Sequence, residues 1–183
     1  DTLADLQVID GSVIASGLRA GADVNVTSGR ITLLGLDGRV TAKLVSGPVE
    51  AVGVGGDLTM ETISGELTLA DSTASRVHAT TVSGSITCDL DNPAGSEIRL
   101  NTTSGSITVR VREDSDLSVH LHAMSGRITS AFPALAVDSG SWAGKDVRGV
   151  IGAGSGRLLV SSTSGSLALL ARPVDGSLSE DTQ

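Results

Sequence analysis

Apolar and polar residues alternate along most of this chain, and the alternation is locked to a recurring Ser-Gly pair. The segments VNVTSGRITL (24–33), METISGELTL (60–69), ATTVSGSITC (79–88), LNTTSGSITV (100–109) and VSSTSGSLAL (160–169) show it most plainly. Five residues before the glycine stand Val24, Met60, Ala79, Leu100, Leu121 and Val160. Two residues after it stand Ile31, Leu67, Ile86, Ile107, Ile128 and Leu167. The positions between are mostly polar, as at Thr59, Glu61, Arg99 and Asn101. A period of two on both sides of Ser-Gly predicts a longer strand, a corner and a shorter strand in each unit.

The corner glycines are Gly29, Gly47, Gly65, Gly84, Gly105, Gly126 and Gly165, with Gly11 (after Asp10) and Gly140 extending the register. Successive spacings from Gly11 are 18, 18, 18, 19, 21, 21, 14 and 25 residues. Glycine suits such a corner because it takes positive φ without steric cost, and the serine can bond local backbone. One unit cannot bury its apolar row alone, so units stack and form a continuous core. Equivalent strands then run parallel, and crossover handedness favours a right-handed turn. The expectation is an all-β, right-handed parallel β-helix (β-solenoid) of about eight to nine coils, on the order of 40 Å long. An antiparallel sandwich would not need the same apolar columns at a fixed offset from one glycine. Stacking in chain order predicts Ile107 between Ile86 and Ile128, and His120 and His122 beside Arg99 and Asn101.

Two stretches break the pattern: DLDNPAGSE (89–97), and the run from Ser130 to Gly156 that holds both aromatic residues, Phe132 and Trp142. Those rings are expected to plug an irregular coil or cap the end of the rod. Residues 1–170 are read as one β-helix domain and 171–183 as a polar, fraying tail. The chain starts at Asp1 without Met and is expected to be a piece of something longer. Its first coil carries the apolar row Leu6, Val8 and Val13 with no coil beneath it. That strand edge is expected to be covered by a preceding segment, or to pair with a second copy or a partner.

Composition narrows the function classes. Among 183 residues, 13 Lys and Arg stand against 21 Asp and Glu, a net charge of -8 without a basic cluster. Such a chain is a poor ligand for nucleic acid or anionic membranes. No run of 18 apolar residues provides a membrane-spanning helix. A single cysteine, Cys88, fits a reducing compartment. The expected location is therefore cytoplasmic, or the cell surface or envelope if a leader or anchor precedes Asp1.

Several residues could carry chemistry, and each has a plainer reading. Cys88 falls in an inward column between Leu69 and Val109 and reads as a small core residue. His120 and His122 form a His-x-His on an outward face, with His78 two coils away; zinc needs three or four ligands, so a solvated face is expected. A column of Thr32, Thr68, Thr87, Thr108 and Thr129, broken by Glu50, suggests the flat arrays that bind ice, but threonine is simply a good exposed strand residue. Glycoside hydrolysis needs two carboxyl groups about 5–9.5 Å apart. Asp23 and Glu61 share a face two coils apart, while Asp89 with Asp91, and Glu113 with Asp114 and Asp116, read as solubilising loop runs. No catalytic, cofactor-binding or metal-binding residue is assigned.

The repeated TVSGSI and TTSGSITV units, followed by GVIGAGSGRLLVSSTSGSLALL, resemble the bacterial adhesin-type β-strand-repeat family, also called toast-rack domains. The likeness runs from about Leu6 to Leu170, and SAFPALAVDSGSW is similar to actinobacterial members. The resemblance implies a right-handed β-helix with no established catalytic activity and no cofactor. The expected function is a non-enzymatic structural or interaction module, an adhesin-like scaffold. It would bind a protein partner or itself through a solenoid end or face. The alternatives are a carbohydrate-binding or carbohydrate-cleaving β-helix and a self-assembling, bactofilin-like scaffold.

Overall fold

The computed structural model describes residues 4–91, 95–141 and 144–173. Trp142 and its expected capping role lie outside the described residues, as does the tail beyond residue 173. Among the described residues, sixteen strands join in one hydrogen-bonded sheet. They are β1 (Ala4–Ser16), β2 (Ala22–Leu34), β3 (Arg39–Ser46), β4 (Val49–Val52), β5 (Asp57–Ser64), β6 (Leu67–Ser72), β7 (Arg76–Ser83) and β8 (Ile86–Leu90). There follow β9 (Glu97–Ser104), β10 (Ile107–Arg112), β11 (Leu117–Ser125), β12 (Ile128–Ser130), β13 (Ala136–Ser141), β14 (Gly144–Ile151), β15 (Gly156–Ser164) and β16 (Leu167–Arg172).

The protein is an all-β solenoid. Before the corner, the first half of β2 continues into the parallel ladder β3, β5, β7, β9, β15 and β11. After the corner, its second half continues into β4, β6, β8, β10, β16 and β12. Strand β1 lies parallel to β2 along both halves. Alternate residues of both ladders point inward and are buried: Val24, Val40, Met60, Ala79 and Leu100 on one side, Ile31, Val49, Leu67, Ile86 and Ile107 on the other. Leu36, Val54, Ala74 and Leu90 bury at the return corner. The core that the strands enclose is built almost wholly of aliphatic side chains.

The corner glycines form a single stack. A Cβ built on Gly29 would overlap the carbonyl oxygen of Gly11, and the same clash recurs at the later corners. Positive φ is thus half of the requirement; the other half is that backbone packs on backbone where a side chain would stand.

Chain order and stacking order part company after Gly105. Gly165 packs on Gly105, and Gly126 packs on Gly165. The last rung, β15 and β16, is inserted between the rung of β9 and β10 and the rung of β11 and β12. Ile107 therefore lies between Ile86 and Leu167, and Ile128 contacts Leu167 instead of Ile107. Nor does Gly140 head a coil: it sits in β13, antiparallel to β14, which is itself antiparallel to β11. The solenoid makes about six turns, fewer than eight to nine. Circuits run on from Gly11 to Gly126, Gly140 begins none, and the rung of Gly165 is entered from β14.

The link from β14 to β15 passes below the start of β11, and Asp116 holds it there. The Asp116 carboxylate accepts the Ala153 N–H at 2.7 Å, and its carbonyl accepts the Gly156 N–H at 2.9 Å. A side chain at Gly152 would collide with that carboxylate. At the far end of the inserted rung, Arg172 reaches across β10 to Asp89, at 3.3 Å, and to Asp91. Arg110 pairs with Asp89 as well. The acidic loop runs read as solubilising are in this respect fasteners: Asp89 and Asp91 tie down β16, and Asp116 ties down the crossover.

Candidate interaction surface

Residues two and four before each corner glycine point outward on the first ladder, with the inward residue between them. The two outward columns bound a surface groove of about 730 Å³ across the first five rungs. One wall is Gln7, Asn25, Lys43, Glu61 and Thr80; the other is Ile9, Thr27, Val45, Ile63 and Val82. The second wall is apolar except at Thr27, yet open to water: Ile9 is 81 % exposed, Val45 45 %, Ile63 54 % and Val82 49 %. Lys43 and Glu61 face one another across adjacent rungs at 3.3 Å, both about half exposed. This stripe was not singled out from the sequence, although its signal lies in the same register, two residues before each glycine.

Behind the groove, the inward column three residues before the glycine changes character along the rod. Val8, Val26 and Leu44 give way to Thr62, Thr81, Thr102 and Ser162 in adjacent rungs. These four are buried, and their hydroxyls have no hydrogen-bond partner among the described residues. Rungs about 4.8 Å apart hold such hydroxyls too far apart to bond one another directly.

The histidine pair has neighbours that chain-order stacking did not give it. Arg99 and Asn101 are displaced by Leu159 and Ser161 of the inserted rung, and the other flank is Arg148 and Asp146 of β14. Asp146 Oδ1 lies 2.9 Å from His122 Nδ1 and 3.2 Å from His120 Nε2. Arg148 Nε lies 3.3 Å from His120 Nε2. Hydrogen bonds from His122 and His120 hold the Asp146 carboxyl below the usual range for an aspartate. The pair is half-buried beside a carboxylate and fastens β14 to β11. His78 lies three rungs from His120, past Arg99 and Leu159, or about 14 Å. It contacts Thr80 Oγ1 at 3.3 Å on its own strand. Among the described residues no three His, Cys, Asp or Glu side chains are placed to hold a metal ion.

Cys88 lies between Leu69 and Val109, fully buried, and burial pushes its thiol up to about 12. Such burial disfavours the thiolate that nucleophilic or redox chemistry needs. The threonine column is broken further than expected, because Ala168 stands between Thr108 and Thr129. Asp23 accepts from Asn25 at 3.0 Å, and Asp114 pairs with Arg112 at 2.8 Å.

A stack of two-strand rungs tied by ion pairs such as Lys43–Glu61, Arg76–Asp57 and Arg110–Asp89 defines a repeat scaffold of the β-solenoid class. The family model described as Toastrack DUF4097 matches residues 3–170, and the chain belongs to that family. It is not a known enzyme family. Neither a curated protein nor a solved structure matches the chain.

Proposed function

We propose that the protein is a non-catalytic scaffold module that engages a protein partner through the outward face of its first ladder. One observation carries this reading. Cys88 is buried in the core, and Asp89, Asp91, Asp116 and the histidine pair are engaged in ties between strands, whereas the exposed stripe of Ile9, Val45, Ile63 and Val82 has no covering element among the described residues. Exposed apolar rows rimmed by polar residues are the usual mark of a contact surface.

A photo-crosslinking residue at position 63 tests the reading in cells. A discrete protein adduct that disappears when Val45 and Val82 are changed to Asp is the expected result. Absence of any adduct, or soluble glycans bound or cleaved in a way that depends on the same two residues, overturns it in favour of the carbohydrate alternative.

A further inference from the structure

The stripe and its polar neighbour repeat once per rung, and that period restricts what can lie on them. Rungs are about 4.8 Å apart, an α-helix repeats every 5.4 Å, and side chains on one face of an extended strand recur every 6.6 Å or so. Over five rungs only a partner with the same rung spacing stays in register. We propose that this face is the contact surface of a two-fold symmetric dimer of the chain, the two rods antiparallel and centred between the rungs of Val45 and Ile63. The proposal rests on the reading above and names its partner as a second copy.

Charge chooses the register. A two-fold axis lying in the contact plane, perpendicular to the rods, sets the stripe against the stripe and the polar column against the polar column. Centred between the third and fourth rungs, it brings Lys43 opposite the second copy's Glu61 twice, while Val45 meets Ile63. Centred half a step to either side, it would set lysine against lysine or glutamate against glutamate. Like charges directly opposed are disfavoured, and of the registers only the one centred between the third and fourth rungs sets both charges against their complements. The groove between the columns stays wet, as polar contacts of this kind do. Six paired rungs about 29 Å long and a few columns wide cover less than the roughly 800 Å² per partner of a stable complex. The dimer is accordingly weak and reversible.

Sedimentation equilibrium to about 1 mM chain tests it. The parent is expected to dimerise, and Ile63→Asp, K43E and E61K each to remain monomeric with cooperative melting retained. The decisive arm mixes K43E with E61K. At the four central positions one chain then presents carboxylates and the other ammoniums, so the mixture regains the dimer although the Lys43–Glu61 pair within each chain stays broken. A monomeric parent, or a mixture that stays monomeric, overturns the proposal. A parent that dimerises equally well with all three substitutions also overturns it, by showing self-association through another face or an end. Crosslinking from position 63 to a different protein would leave the interaction reading standing while the dimer fell.

Discussion

Gly165 packs directly on Gly105, and the rung between them in sequence, headed by Gly126, is pushed one layer outward. With φ of 153° and the Gly105 carbonyl where a Cβ would be, Gly165→Ala strains both rungs. It is expected to cost about 4 kcal/mol or more. Gly35 has φ of 56° with open space around it, so Gly35→Ala is expected to cost only about 1–2 kcal/mol. Urea unfolding of the two variants checks the contrast; equal costs would remove the backbone-on-backbone argument.

The inserted rung is core, and its apolar residues should behave so. Leu167 is 1 % exposed between Ile107 and Ile128. Leu167→Ala is expected to lose about 2–5 kcal/mol, as truncation of a central core leucine does. Ile107→Asp, which buries an unpaired carboxylate, should abolish cooperative unfolding, while Thr108→Asp on the outward side should shift stability by about 1 kcal/mol or less. Melting curves for the three distinguish this stacking from one in which the C-terminal rung is an appendage.

Asp116 should govern the crossover. Asp116→Ala frees the Ala153 N–H and is expected to cost about 1–2 kcal/mol. Hydrogen exchange should rise first in β15 while the first rungs remain protected. Uniform acceleration across the rod would show that the link is not a local fastener.

Ionised Asp146 should fasten β14 in a pH-dependent way. Its folded carboxyl lies below the ordinary value of 3.8. The contribution is therefore fully present above that value and is lost as pH falls through the lower folded value. Asp146→Asn is expected to be less stable than the parent at pH 6, and the difference should vanish towards pH 2. A difference unchanged across that range would mean that the charge plays no part.

The four orphan hydroxyls give a prediction of opposite sign. Thr81→Val removes a buried hydroxyl without a protein partner and is expected to be neutral, or to stabilise by up to about 1 kcal/mol. A loss of more than about 1 kcal/mol in thermal unfolding would mean that the hydroxyl is satisfied, by a water held between rungs.

Sequence alone determined the unit of this protein. The period of two set which side chains face inward, the Ser-Gly pair set the corner, and the fixed offset from glycine placed Cys88 between Leu69 and Val109. Those are local facts, written within one repeat or its adjacent copy. The order of the rungs was not legible, for a physical reason. Successive rungs present an aliphatic residue two places after the same bare glycine, so the local pattern gives Leu167 no less claim to stack on Ile107 than Ile128 has. What selects the inserted order is the antiparallel return of β13 and β14, the Asp116 fastening and the reach of Arg172 to Asp89 and Asp91, all contacts between distant residues. The histidine pair shows the same division: its outward direction followed from alternation, but its carboxylate partner, Asp146, came only with the strand that tertiary structure laid beside it.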